Sequence, residues 1–128
     1  MATSKIYLAS CHCGAVRFTF TSEEITSGRR CNCSLCVRKG TVMSSGYFRA
    51  SDVSVEGKEC LVLYQFGDKD VNHLFCRTCG ISPFSTVASV PPEYRGSARP
   101  GEYRLNLGCV HDLDVLSLDI QILDGKAL

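Results

Sequence analysis

Cysteine is the residue type in this sequence that most directly indicates chemistry, with nine cysteines among 128 residues. Two of them, Cys60 and Cys109, stand alone. The start of the chain has no apolar run of signal-peptide length, so we expect a reducing, intracellular setting in which clustered cysteines bind metal rather than form disulfides. The odd count agrees, because it excludes complete internal pairing. The other seven cysteines fall into three short groups: Cys11 and Cys13; Cys31, Cys33 and Cys36; Cys76 and Cys79.

Two of these groups have the form of metal-binding turns. Cys76 and Cys79 are separated by two residues and followed by Gly80, a spacing that lets both sulfurs converge on one ion at about 2.3 Å. A closed tetrahedral zinc site needs a second pair, and Cys11 with Cys13, also followed by a glycine, is the best complement. We therefore predict one structural zinc on these four thiolates, closing a chain loop of about 60 residues.

The third group, Cys31, Cys33 and Cys36, supplies three thiolates within six residues. Three protein ligands with an open fourth position are typical of a catalytic zinc. We predict a short helix over Ser34–Lys39, stopped by Gly40, whose N-terminal end would favour thiolates. The alternative is a closed, structural site whose fourth ligand lies elsewhere in the chain, and the candidates for it are Cys109, His111, His73 and Cys60.

The charge of a three-thiolate zinc site indicates what chemistry it favours. Three thiolates leave the complex at a formal charge of −1 and weaken the Lewis acidity of the metal, which disfavours hydrolysis by a zinc hydroxide. Such a site suits a fourth thiol from outside the chain, which loses its proton on binding and remains a nucleophile toward a carbon electrophile. We therefore predict thiol chemistry.

Basic residues surround this third group. Between Ile25 and Ser51 there is no Asp or Glu but there are five cationic residues: Arg29, Arg30, Arg38, Lys39 and Arg49. Arginine binds carboxylates through two parallel hydrogen bonds, so we predict that Arg38 binds the carboxylates of an anionic thiol. A long loop over residues 88–102 is a candidate wall of the site, and on it Arg99 and Tyr94 are further candidate substrate-binding residues.

Composition places the chain in an ordinary class of globular proteins. Hydrophobic residues make up 45% and charged residues 21%, and the length suits a single domain over residues 1–128. The net charge of +1 provides no field for binding nucleic acid or an anionic membrane, and no segment approaches the length of a spanning helix. We expect a cytoplasmic protein, with a nuclear location as the second choice.

The apolar pattern is mostly of period two, which predicts a mainly β fold in which Ser34–Lys39 is the only helix. Turn residues separate the candidate strands, and seven or eight strands are expected. The predicted strands are Val16–Phe20, Gly46–Ala50, Leu61–Phe66, Val71–Phe75, Pro83–Val87, Tyr103–Leu107 and Val115–Leu123.

These motifs together resemble the glutathione-dependent formaldehyde-activating enzyme family, and within it the branch that includes centromere protein V. The resemblance covers nearly the whole chain, through Cys11–Val16, Cys31–Cys36, His73–Phe84 and Asn106–Cys109. It implies a β-tent fold of two or three small antiparallel sheets, similar to methionine sulfoxide reductase B. It also implies two zinc sites on the same cysteine groups that the spacing indicates. The structural zinc would be bound by Cys11, Cys13, Cys76 and Cys79, and the catalytic zinc by Cys31, Cys33 and Cys36.

The activity implied by this resemblance is that of a carbon-sulfur lyase. Such an enzyme joins glutathione to formaldehyde reversibly and gives S-hydroxymethylglutathione. The alternative is a non-catalytic zinc module, chromatin-associated as in the centromere protein V branch, although Lys5 is the one charged residue before Arg17 and a basic N-terminal segment is therefore not expected. A zinc deaminase is excluded because no His-x-Glu or Cys-x-Glu motif occurs. A methionine sulfoxide reductase would have to use Cys109 as its reactive thiol.

Overall fold

The computed structural model describes residues 4–127 and contains short strands, one α-helix and several single-turn 3-10 segments. The α-helix, α1, spans Ser34–Lys39, as predicted. The strands of this range are β1 (Ser4–Ser10), β2 (Arg17–Glu23), β3 (Ser27–Cys31), β4 (Val53–Glu56), β5 (Leu61–Tyr64), β6 (Val71–Cys76), β7 (Phe84–Val87), β8 (Tyr103–Leu105) and β9 (Asp119–Leu123). The 3-10 segments are Ala50–Asp52, Lys58–Cys60, Leu107–Cys109, Val115–Ser117 and Gly125–Ala127.

These strands form three small sheets, which confirms the predicted mainly β fold. Strands β1, β2 and β4 form one antiparallel sheet, and strands β5 to β8 form a second in chain order. The third sheet departs from the expected antiparallel pairing, because β3 and β9 run parallel. Among the described residues, no helix is both long and apolar enough to cross a membrane.

The core lies between the two larger sheets. Phe18 and Phe20 of β2 are buried, while Arg17, the first residue of the strand, is exposed, as the period-two pattern predicts. The Phe18 ring meets Phe84 of β7 edge to face, with ring centroids 5.4 Å apart. Leu105 of β8 is fully buried in the same cluster. Aromatic contacts therefore fix the two sheets against each other.

The four-stranded sheet presents a second set of side chains on its other face. The register pairs Leu74 with Phe84 and Phe84 with Leu105 across β6, β7 and β8, and Phe84 and Leu105 are buried in the core. Because side chains alternate along a strand, the neighbouring row points the opposite way. That row consists of His73, Ser85 and Arg104.

Several predicted strand boundaries were wrong. Residues Gly46–Ala50 form no strand; Phe48 alone bridges to Tyr103. Val115–Leu123 divides because Asp114 accepts the amide of Leu116 and starts a 3-10 turn before β9. The interval between Phe66 and Val71, by contrast, is a turn as expected.

Three strands, β1, β3 and β4, were missing from the prediction. In β1 the outward-facing residues Ile6 and Leu8 are themselves apolar, so the sequence shows no alternation. Strand β3 reads Ser-Gly-Arg-Arg-Cys, with little intrinsic strand preference, and forms because β9 supplies its backbone partners. Tertiary pairing of this kind is invisible in a local pattern.

Candidate metal centres

The first candidate centre is a cluster of four sulfurs from Cys11, Cys13, Cys76 and Cys79, all within 4.8 Å of one another. The sulfur of Cys13 lies 3.7 Å from that of Cys11 and 3.6 Å from that of Cys76. Four sulfurs placed tetrahedrally at the zinc–sulfur bond length of 2.3 Å would be about 3.8 Å apart. The donor set and its spacing therefore fit zinc.

Backbone amides around this cluster favour thiolates. The amide of Thr78 donates to the Cys76 sulfur at 3.4 Å, and the amide of Val16 donates to the Cys11 sulfur at 3.4 Å. Hydrogen bonds from the backbone amides of Cys13 and Ile81 lower the pKa of Cys79 to about 6. Donation to the charged form is the arrangement expected of thiolate metal ligands.

The four-sulfur cluster also connects the two larger sheets. Cys11 follows β1 of the first sheet directly, and Cys76 ends β6 of the second. Gly80, at φ +77°, turns the chain back after Cys79 in a conformation that glycine adopts without strain. A metal held here would join two parts of the chain that are distant in sequence.

The second candidate centre gathers the sulfurs of Cys31, Cys33 and Cys36 within 4.8 Å of one another. Cys31 ends β3, Cys33 is the N-cap residue of α1, and Cys36 lies in the first turn of that helix. The Cys33 sulfur accepts the amide of Cys36 at 3.4 Å, and the Cys31 sulfur accepts the amide of Cys33 at 3.4 Å. The predicted position of these sulfurs at a helix start is thus confirmed, and Gly40 ends the helix at φ +67°.

The C-terminal segment supports this second cluster from behind, which the sequence did not reveal. Leu123 of β9 pairs with Cys31, and the amide of Asn32 donates to the Leu123 carbonyl. The side chain of Asn32 donates to Asp124 at 2.9 Å and accepts the amide of Lys126 at 3.0 Å. Parallel pairing across 92 residues therefore fixes the cysteine segment.

The thiols of the second cluster sit in unequal environments. Burial raises the pKa of Cys36 to about 12, and the neighbouring cysteines add to the effect. Burial also acts to raise the pKa of Cys33, but the amide of Cys36 and the adjacent thiols lower it overall. Burial lowers the pKa of Lys39, while Cys36 and Cys33 act to raise it, which places this ammonium close to the cluster.

A cavity of about 190 Å³ adjoins the three sulfurs. The row His73, Ser85 and Arg104 of the four-stranded sheet forms its polar part. Two buried polar atoms of this row, Nδ1 of His73 and Nε of Arg104, have no hydrogen-bond partner within residues 4–127. The cavity is lined by Cys31, Cys33, Cys36, Met43, Tyr47, Phe66, Val71, His73, Ser85, Thr86, Val87, Arg104 and Leu123.

A wider, more open groove of about 580 Å³ lies on the other side of Cys33 and Phe66, which line both spaces. Its charged residues are Arg38 and Lys126. The Arg38 guanidinium donates to the Ser34 carbonyl at 2.8 Å and is otherwise exposed. A chain-like molecule could thus extend from the sulfurs into a groove with two cations.

The family model for the glutathione-dependent formaldehyde-activating enzyme matches residues 6–122 of the chain. This protein belongs to that family. A crystal structure of a Rhodobacter sphaeroides protein, determined as a structural genomics target, is similar to the chain with 34% sequence identity and a TM-score of 0.68. The match covers 89% of this chain and 99% of the other. Family membership associates the fold with formaldehyde activation and glutathione.

Within this family member, the predicted loop residues Arg99 and Tyr94 are not among the residues that line the two spaces at the three sulfurs. Arg99 donates to the carbonyls of Gly96 and Ala98, and the Tyr94 hydroxyl accepts the amide of Ala98. No residue of 88–102 lines the cavity or the groove at Cys33. The loop instead connects β7 to β8, and a substrate contact by Arg99 or Tyr94 stays a prediction.

Of the four residues predicted as alternative fourth ligands of the second cluster, three lie on the side of the first cluster. Besides burial, the charges of Cys11 and Cys79 raise the pKa of Cys109, and His111 forms a hydrogen bond with Ser10. Both residues therefore lie on the side of the first cluster. Cys60 also lies on that side, since its carbonyl accepts the amide next to Cys76. His73 alone of the four lines the cavity at the second cluster.

The interpretation of Cys109 as a reactive thiol finds no support in its surroundings. Its side chain is 7% exposed, and burial raises its pKa to about 12, with the charges of Cys11 and Cys79 adding to the shift. A thiol in this environment is protonated at neutral pH and inert as a nucleophile. Cys109 is a core residue beside the first cluster.

Proposed function

We propose that the chain is a zinc-dependent carbon-sulfur lyase that joins a thiol such as glutathione to formaldehyde or a related aldehyde. The four-sulfur cluster holds a structural zinc, and Cys31, Cys33 and Cys36 hold a second zinc. The observation that carries the proposal is the convergence of three sulfurs on the wall of a cavity, with no fourth ligand grouped with them in the described part of the chain. A zinc held by these three sulfurs would have a fourth coordination position for a substrate, which is typical of a catalytic site.

A zinc held by Cys31, Cys33 and Cys36 would supply a soft, weakly acidic site for a substrate thiolate. In the reaction the substrate sulfur attacks the carbonyl carbon and a C–S bond forms. The carbonyl π pair moves to oxygen, which takes up one proton in place of the proton released by the thiol. Atoms and electrons balance without an oxidant or reductant, and the reverse sequence releases the aldehyde.

The cavity and the groove bind different parts of the substrates. Pockets that enclose whole drug-sized ligands measure roughly 300–1,000 Å³, so the cavity of about 190 Å³ holds the reacting end and not a tripeptide. The groove beyond Cys33 takes the rest of the thiol. There Arg38 and Lys126 face the carboxylates of glutathione.

Residues at the cavity protect the reacting atoms from water. Met43, Phe66 and Val71 give its walls an apolar character, which strengthens electrostatic interactions within it. The ammonium of Lys39 lies near Cys33 and Cys36 and offsets part of the negative charge that a fourth thiolate adds. These features favour a bound thiolate over a bound hydroxide.

The activity is tested by exchange rates at equilibrium, because thiols and formaldehyde also condense without an enzyme. Two-dimensional NMR exchange between glutathione and S-hydroxymethylglutathione measures both directions at once. We expect the zinc-loaded protein to accelerate exchange in proportion to its concentration. The Cys33→Ser variant, with the first cluster intact, serves as the control and should leave the uncatalysed rate.

A non-catalytic zinc module of the centromere protein V kind is the competing function. It requires the second metal to be closed by a protein ligand, and His73 is the residue placed to do so. The same exchange measurement separates the two, since a closed site gives no acceleration. A His73→Ala variant that gains thiol binding would then show which ligand had closed the site.

A further inference from the structure

Arg104 is a buried cation that forms no salt bridge within residues 4–127. It is 9% exposed, and its Nε is buried with no hydrogen-bond partner. Across residues 4–127 the one salt bridge joins Arg49 to Asp52, far from this side chain in sequence. Buried charges in proteins are as a rule paired, because an unpaired one loses its hydration without compensation. Apart from the three cysteines of the second cluster, which line the same cavity, the described residues place no anion beside Arg104.

The guanidinium is held in a defined orientation at the cavity. Its central carbon lies 4.4 Å from the centroid of the Tyr47 ring, and both residues line the space that the three sulfurs face. Stacking of this kind fixes the plane of the fork, which is the geometry that pairs with a carboxylate. Among the described residues, Nε of Arg104 donates no hydrogen bond to a cysteine sulfur, so such a bond does not explain the burial of this cation.

The cavity is also larger than formaldehyde requires. Its volume of about 190 Å³ corresponds to about six water molecules at about 30 Å³ each. Formaldehyde has two non-hydrogen atoms. The space between the sulfurs and Arg104 therefore accommodates an aldehyde with several more atoms.

We propose that Arg104 is the anion-binding residue of this cavity and that the aldehyde accepted here carries a carboxylate. This inference rests on the proposed thiol–aldehyde reaction and names the class of its electrophile. The carboxylate pairs with the Arg104 fork while the carbonyl carbon faces the sulfur side of the cavity. Addition forms the C–S bond and protonates the carbonyl oxygen, and the carboxylate is unchanged in the product.

A direct test observes Arg104 without any thiol present. Protein loaded with zinc and labelled with 15N-arginine is titrated with glyoxylate, with acetate, and with glycolaldehyde, the uncharged counterpart of glyoxylate. The Nε–H signal of Arg104 is assigned by its loss in the Arg104→Met variant. We expect a saturable shift with both carboxylates and none with glycolaldehyde. An unmoved signal, or an equal shift with glycolaldehyde, overturns the proposal.

Two variants of Arg104 then distinguish the effect of its charge from the effect of its fork-shaped geometry. We expect Arg104→Met to weaken glyoxylate binding about 10- to 100-fold, the range for loss of charge-assisted hydrogen bonds. Arg104→Lys keeps the charge without the fork and should fall between Met and the parent. Arg95→Met, an exposed arginine outside both spaces, is the matched control. If Arg104→Met also loses zinc, the Lys variant carries the test, and binding of glyoxylate by that variant as tightly as by the parent would contradict the proposal.

Failure of this inference is distinguishable from failure of the proposed function. Accelerated exchange of glutathione with formaldehyde, combined with an unmoved Arg104 signal, overturns the carboxylate assignment alone. A glyoxylate-dependent shift without any thiol reaction supports the anion site and removes the lyase activity.

Discussion

At the scale of single residues, the cavity at the second cluster combines sulfurs from one short segment with polar side chains from three strands. Sulfurs separated by one or two residues must lie together, so the two clusters followed from the sequence. The row His73, Ser85 and Arg104 did not follow, because it depends on how three strands align. In the predicted strand Tyr103–Leu107, Arg104 alternates with the apolar Tyr103 and Leu105, a pattern typical of a half-buried strand, whereas the structure buries Arg104 as well. The alternation of apolar and polar residues predicts on which face of a strand a side chain lies, but not which residues cover that face.

Arg38 provides the residue-level prediction for the thiol. Arg38→Ala should weaken glutathione binding by about 1 kcal/mol, since exposed ion pairs contribute roughly 0.2–1 kcal/mol each. Mercaptoethanol, which has no carboxylate, should bind the variant and the parent equally. Isothermal titration of both thiols checks this, with Arg95→Ala as the control. The Arg99→Ala variant tests the loop assignment in the same series, and a larger loss there would move the carboxylate site to the loop.

At the scale of elements, the parallel pair β3–β9 positions the second cluster. Helix α1 was predictable because its cap residues are local: Cys33 at the start and Gly40 at the end. The pairing with β9 was not, because its register of Cys31 with Leu123 joins segments far apart in the chain. Gly125, the second residue after this strand, lies against the Cys31 sulfur.

Gly125→Ala is therefore expected to disturb the second cluster selectively. An added Cβ would collide with the Cys31 sulfur and come within 3.1 Å of the Cys33 Cβ. Zinc affinity of the three-sulfur site should fall at least tenfold, while circular dichroism and the first site stay unchanged. Gly46→Ala, where a Cβ meets no atom within 4 Å, is the matched control. Unchanged chelator competition in Gly125→Ala would show that the cluster does not depend on this contact.

At the scale of the whole molecule, the first cluster links the two larger sheets and the second links nearby segments of one corner. Cys13 and Cys76 meet across 63 positions of the chain, so a metal there closes a long loop. A metal bound by Cys31, Cys33 and Cys36 closes a loop of only a few residues. The sequence predicted both the mainly β architecture and this contrast, but the arrangement of three sheets required long-range pairing that local patterns do not encode.

The two clusters should consequently differ in what they contribute to stability. Structural zinc sites contribute on the order of 10 kcal/mol to folding, so Cys76→Ser should unfold the protein or release a zinc with a large fall in melting temperature. Cys33→Ser should keep the fold and lose the second zinc. Zinc content and thermal denaturation of both variants check the contrast. Equal loss of fold would make the second site structural as well.

The most direct test of the account is the response of the second site to a thiol in cobalt-substituted protein. Cobalt at a thiolate site absorbs in the visible range, and the closed four-cysteine site provides an internal reference. Titration with glutathione should change the absorption of one of two cobalt ions and leave the other unchanged, and the change should vanish in Cys33→Ser. A spectrum that saturating glutathione does not alter would show that the three-cysteine site is already closed, and it would contradict the proposed function.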